Sequence, residues 1–204
     1  YDSISMSNRG LIAGGTIKHL TSTTISDKYT LFPDSMLTQA SSFNMEKDAD
    51  GVFPELESRD VTIKWLTRKD EWSVTNQAGK QFDMFNNGTV LDGSLKLTPS
   101  SLMGAGTINM TNSRITSNNY TFSAEAIKAD TADYFLKSAS TSGYAFVAEN
   151  ANTDINFAVK TSKFHLNTDS SMVKFPELQY ICTMTDFEYN MEDKVLNMEQ
   201  RDMR

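Results

Sequence analysis

The sequence predicts an all-β, elongated chain built from two tandem units, and three observations carry that expectation. First, Ala105 to Lys137 lies over Gly14 to Glu46 without a gap. Gly15/Gly106, Thr16/Thr107, Ile17/Ile108, Ser22/Ser113, Ser26/Ser117, Tyr29/Tyr120 and Thr30/Thr121 are identical, and Asp27/Asn118, Leu31/Phe122, Asp34/Glu125, Met36/Ile127, Phe43/Tyr134 and Met45/Leu136 are close substitutions. Self-similarity at a fixed period is the signature of a repeat architecture. Second, apolar residues fall two apart in short bursts, which puts them on one face of a strand and polar residues on the other. Third, the bursts are separated by turn-forming clusters, the pattern of a sandwich, barrel or solenoid.

Taken in order, residues 1–10 are polar, show no period and are assigned no role. From Leu11 the bursts run through Tyr29 and Leu31, Phe43 and Met45, Val61, Ile63 and Trp65, then Trp72 and Val74. Between them stand Asp48-Ala49-Asp50-Gly51, Thr67 to Asp70, Asn76 to Gly79, Asn86-Asn87-Gly88 and Asp92-Gly93; Asn-Gly and Asp-Gly supply the positive φ that tight hairpins require. The second copy repeats the plan with a drifting offset: Trp65 is matched with Phe157, Trp72 with Phe164 and Phe82 with Phe175. Each copy closes with a hairpin-like pair, Ser94–Leu97 with Leu102 and Glu188–Met191 with Leu196. The expected units are residues 11–103 and 104–199, with 1–10 and 200–204 as flanking ends of a larger chain and a repeat length of about 92 residues. Phe53-Pro54-Glu55-Leu56 recurs as Phe175-Pro176-Glu177-Leu178, out of phase with the main repeat, and reads as coincidence.

Charge and composition exclude some functions. A net charge of −7 argues against a nucleic-acid partner, which would need a clustered basic face, and mildly against an anionic membrane surface. No apolar run is long enough for a transmembrane helix. Cys182 is the only cysteine, which excludes an intramolecular disulfide and a multi-cysteine metal site. Its strand-like setting predicts a buried, inert thiol. The chain shows no signal peptide and begins at Tyr1, so it reads as a segment of a longer protein.

No catalytic, cofactor-binding or metal-ligating residue is assigned. His19 and His165 are far apart and lack partners at metal-ligand spacing. Asp48-Ala49-Asp50-Gly51 resembles the start of a calcium loop, but Val52 and Arg59 stand where oxygen ligands belong. Asp130 and Asp133 could pair as acid and base, yet the matched positions are Gln39 and Ser42, so a turn entering a strand is the plainer reading. Leu102-Met103-Gly104-Ala105-Gly106 has no phosphate-loop context, and its glycines are expected to turn the chain between units. Trp65, Trp72, Tyr134, Tyr144 and Tyr189 could line a sugar-binding face, but their alternation with polar residues favours the core. Three glycosylation-type triplets, at Asn87, Asn109 and Asn119, are expected by composition alone.

The string Gly93 to Gly106, followed by Ile115-Thr116-Ser117, Tyr120-Thr121-Phe122, Ala129 to Asp133 and Phe135-Leu136, resembles the repetitive β-strand regions of large bacterial envelope proteins. More distantly it is similar to the OstA-like family of lipopolysaccharide-transport bridges and to the AsmA-like family. The resemblance implies an elongated stacked-strand solenoid or open β-jellyroll in the periplasm or at the outer surface. In the transport members the apolar lining carries lipid. The bulky aromatics here depart from such a lining. The expectation is therefore a non-enzymatic structural or interaction module of an envelope or surface protein, whose partners are proteins or neighbouring repeats of the same chain. A lipid-carrying trough is the first alternative and a glycan-binding adhesin module the second.

Overall fold

The computed structural model describes residues 4–8, 10–166 and 172–199; positions 1–3 and 9 of the first expected flanking end and the whole of the second, 200–204, lie outside them. The fold is all-β, and its strands belong to a 17-stranded antiparallel sheet. They are β1 (Ile4–Ser7), β2 (Gly10–His19), β3 (Ser22–Phe32), β4 (Ser35–Met45), β5 (Leu56–Leu66), β6 (Glu71–Asn76), β7 (Phe82–Met84), β8 (Thr89–Thr98), β9 (Ser101–Asn109), β10 (Ser113–Phe122), β11 (Ala126–Lys137), β12 (Tyr144–Asn156), β13 (Thr161–Leu166), β14 (Val173–Phe175), β15 (Tyr180–Cys182), β16 (Asp186–Asn190) and β17 (Val195–Glu199). A 3-10 turn, Pro176–Leu178, separates β14 from β15. The chain forms two compact units: Tyr1–Gly104 with Phe122–Ala124, and Ala105–Thr121 with Glu125–Arg204. The boundary falls inside β9.

In the first unit β1 to β5 form a meander, each strand paired with the next. Beyond it two short strands share the long β5. β6 pairs with its C-terminal half (Ile63 opposite Val74, Trp65 opposite Trp72) and β7 with its start (Leu56 opposite Met84). β8 then runs past both, Leu91 opposite Phe82 and Leu97 opposite Trp72. Period-two burial explains why these sequences are strands: Met36, Phe43, Ile63, Trp72, Val74, Phe82 and Leu97 are completely buried, while Leu37, Lys64, Ser73 and Lys96 between them face outward. Burying one such large side chain stabilises the fold by about 1.5–3 kcal/mol.

The second unit uses the same pairing scheme. β11 pairs with β12, and β12 is shared by β13 (Thr153 opposite Phe164, Ile155 opposite Ser162) and β14 (Ala148 opposite Val173). Where unit 1 has the single β8, two short strands stand here: β15 pairs with β14, and β16 with β13. Following the ladders across, Met36 opposite Trp65 corresponds to Ile127 opposite Ile155. Trp72 then corresponds to Ser162, and Val74 to Phe164. Met84 corresponds to Phe175 and Phe82 to Val173. These matches differ by two residues from those made on sequence, where large side chains were aligned with large ones. Strand pairing shifts the bulk of Trp72 onto the neighbouring inward position, Phe164.

One local device appears in both units. The β2–β3 ladder slips between Ala13 and Gly15, where Gly15 has φ +124°. Tyr29, completely buried, shares its hydroxyl proton between the carbonyls of Gly15 (3.1 Å) and Thr24 (2.9 Å). In unit 2, Gly106 has φ +135° and Tyr120 bonds the carbonyls of Gly106 (3.2 Å) and Ile115 (3.0 Å). Every member lies 91 positions from its counterpart. The seryl bonds follow the same spacing: Ser26 Oγ accepts from Lys28 N, and Ser117 Oγ from Asn119 N.

Candidate functional site

The residues with potential chemistry fall into three places, each explained by its position in the sheet. The first is an aromatic cluster in unit 1. His19, at the end of β2, stacks on Trp72 with ring centroids 5.0 Å apart and planes 14° from parallel, and lies 5.9 Å from Trp65. Asp70 sits in the β5–β6 turn with φ +47°. Its Oδ1 accepts from Trp65 Nε1 at 3.0 Å and lies 3.4 Å from His19 Nε2. One carboxylate thus holds the Trp65 indole by its N–H and stands beside the His19 imidazole over a buried tryptophan. This closes the end of the core and leaves Trp72 no exposed ring face for a sugar.

The second place is an open depression of about 570 Å³ in unit 2, on the ladder β12–β13–β16–β17. Residues directly opposite one another share a face, which sets two rows across the strands. One row carries Asp154, Lys163, Glu188 and Asn197; the other carries Asn152, His165, Asp186 and Glu199. Opposite charges alternate in the first row, with Lys128 3.0 Å from Asp154 and Lys163 3.4 Å from Glu188. In the second, His165 Nδ1 lies 3.1 Å from Asp186 Oδ1, and Thr185 Oγ1 donates to Asp186 Oδ2 at 2.9 Å. The first row is paired in charge, whereas the second sets Asp186 opposite Glu199, so the depression is polar with an excess of carboxylates.

The third is Arg114, whose guanidinium lies 4.3 Å from the centre of the Phe135 ring and 5.3 Å from that of Tyr144. Three adjacent strands, β10, β11 and β12, place these side chains together. Tyr144 is only half-buried, so among the five aromatics expected in the core Trp72, Tyr134 and Tyr189 are buried there, whereas Trp65 and Tyr144 sit at its margin, Trp65 against the His19 and Trp72 rings and Tyr144 against Phe135 and Arg114.

The remaining candidates are structural. Asp48 closes its loop by accepting from Phe53 N at 2.7 Å, which draws Phe53 into the core. Asp133 accepts from the backbone of Asn150, which has φ +55°, at 3.0 Å; Asp130 points outward. No group of three or more His, Cys, Asp or Glu capable of holding a metal occurs among the described residues. Cys182 is half-exposed instead of buried, because β15 has three residues and its neighbours Tyr180 and Ile181 face solvent. Gly104 and Gly106 are not a turn between units: they lie inside β9. A Cβ on Gly104 would come within 2.8 Å of the Phe122 ring and 2.9 Å of the Ser94 carbonyl, so closeness of approach is what requires glycine. The two Phe-Pro-Glu-Leu strings fold differently, Leu56 being buried in β5 and Leu178 exposed in the 3-10 turn. Asn87 is in a turn, where its Oδ1 accepts from Thr89 N, and Asn109 and Asn119 are in strands. The Tyr–Gly lock is the feature sequence reading missed as a device, although four of its residues stood out as identities.

No helix of the described residues is long and apolar enough to cross a membrane. The chain matches no protein-family model, no curated protein and no solved structure.

Proposed function

We propose that the chain is a non-enzymatic structural or interaction module of a larger bacterial cell-envelope or surface protein, built from two copies of one unit and forming part of a solenoid or open jellyroll. The observation that carries this reading is the recurrence, 91 positions apart, of the Tyr–Gly lock together with the shared-strand ladder around it. Within each unit the inward side chains are spent on one another. In unit 2 the rings of Tyr134 and Phe164 lie 3.9 Å apart, and Phe146 packs 5.0 Å from Phe187 and 5.5 Å from Phe175. Such filling favours a packed scaffold over a lipid-carrying trough. The ring contacts already made by the half-exposed aromatics, Trp65 with His19 and Trp72 and Tyr144 with Phe135 and Arg114, disfavour the glycan-binding reading in the same way.

The test is native mass spectrometry of the protein after mild extraction, followed by lipid and glycan analysis of what co-purifies. A bare protein that stays bare when offered lipid and glycan is expected. Retained acyl chains would replace the structural reading with the lipid trough.

A further inference from the structure

Strand β1 stands to β2 as β16 stands to β17. Ser7, Met6 and Ile4 face Gly10, Leu11 and Ala13, just as Asn190, Tyr189 and Phe187 face Val195, Leu196 and Met198. Ile4-Ser5-Met6-Ser7 also lies 91 positions ahead of Leu95-Lys96-Leu97-Thr98, the end of β8. The chain therefore carries three versions of one strand, and their surroundings differ. Leu95 and Leu97 are 2% and 0% exposed beneath Val74 and Trp72 of β6. Phe187 and Tyr189 are 3% and 4% exposed beside Phe164 and Ser162 of β13. Ile4 and Met6 are 61% and 84% exposed. Leu11, opposite Met6, is also open at 39%, whereas Leu102, 91 positions on, is fully buried.

We propose that β1 is the closing strand of a further copy of the unit lying N-terminal in the same array, and that its uncovered edge and apolar face receive that copy's β6-type strand. The occupant is specified by the two covered versions. It is a strand antiparallel to β1 that sets inward residues opposite Ile4 and Met6, as β6 sets Val74 and Trp72 opposite Leu95 and Leu97 and β13 sets Phe164 and Ser162 opposite Phe187 and Tyr189. The inference rests on the structural reading above and names the partner that reading requires. β1 contributes no charged side chain of its own to discourage strand addition, one of the devices that protect natural sheet edges. In repeat arrays, neighbouring units supply the missing cover.

The experiment compares the 204-residue chain with the same chain extended at its N-terminus by a second copy of residues 11–91, which restores the 91-residue phase at Tyr1. Amides of β1 that do not face β2 are expected to exchange roughly tenfold or more slowly in the extended chain. Met6→Lys is expected to leave the melting midpoint of the 204-residue chain unchanged, and to lower that of the extended chain as Leu97→Lys lowers it in the original. Unaltered β1 exchange beside a folded added copy overturns the proposal. So does failure to fold on β1 of both this graft and one made from residues 102–183, which puts Ile4 and Met6 in the places of Phe187 and Tyr189. Self-association of the 204-residue chain that Met6→Lys abolishes would make a second molecule the occupant, and also overturns it. Lipid retention, measured separately, decides the structural reading, so the two failures are distinguishable.

Discussion

A phenol hydroxyl that reaches back to a glycine carbonyl is the smallest unit of specificity in this fold. Tyr29 and Tyr120 each hold a positive-φ glycine and a second carbonyl five residues upstream, inside the core. Removing one hydroxyl leaves buried acceptors without their donor, so Tyr29→Phe and Tyr120→Phe should each cost about 1–3 kcal/mol, read from urea unfolding midpoints. Gly15→Ala should cost at least about 1 kcal/mol, because an L side chain is strained at φ +124°. The tyrosines also set a pH limit. Burial pushes the Tyr120 and Tyr134 phenols far above the ordinary value of 10.0, and for Tyr134 the nearby Ser113 and Ser162 hydroxyls only partly oppose it. Above that value the folded chain holds protons that the unfolded chain releases, so folded binds more than unfolded and stability falls with pH. Their contribution is intact below about pH 10 and is lost as pH rises beyond it. Tyr134→Phe should flatten the alkaline limb of a stability–pH curve measured by chemical denaturation.

At the scale of the strand, alternation decides what a substitution does. Phe146 is 1% exposed and packs near four other rings of unit 2, so Phe146→Ala should cost about 3–5 kcal/mol. Leu37 is equally apolar but 48% exposed on the outward face of β4, and Leu37→Ser should stay within about 0.5 kcal/mol; equilibrium unfolding of the pair checks the assignment of faces. This alternation was legible in the sequence, which is why β-structure could be expected from bursts such as Val61, Ile63 and Trp65. The sharing of β5 by two short strands was not legible, because Glu71–Asn76 and Phe82–Met84 carry the same period whichever half of β5 they join. The aromatic matches drifted for a related reason. Bulk at an inward position is kept across a layer and not at one site, so Trp72 and Phe164 looked equivalent while the ladders make Val74, opposite Ile63, the counterpart of Phe164, opposite Thr153. His19 was beyond sequence reasoning, since its partners Asp70 and Trp72 lie some fifty positions away and meet it only when the sheet has formed.

For the whole molecule, charge is spread thinly over the surface. The ion pairs Arg68–Asp34, Lys96–Glu71, Lys174–Glu149 and Lys160–Glu192 all keep substantial solvent contact. Exposed pairs contribute little and salt screens them, so raising NaCl to about 0.5 M should shift unfolding free energy by less than about 1 kcal/mol, measured by urea titration. Pairing order has a different consequence, which concerns synthesis. In unit 1, β2 to β5 each find their partner in the strand made immediately before, and β6 and β7 return to a β5 already in place. Contacts are therefore local in sequence for an all-β chain, and loop-closure entropy is small at every step. A ribosome feeding out this chain presents each new strand to a waiting edge, so the sheet can lengthen at the pace of translation.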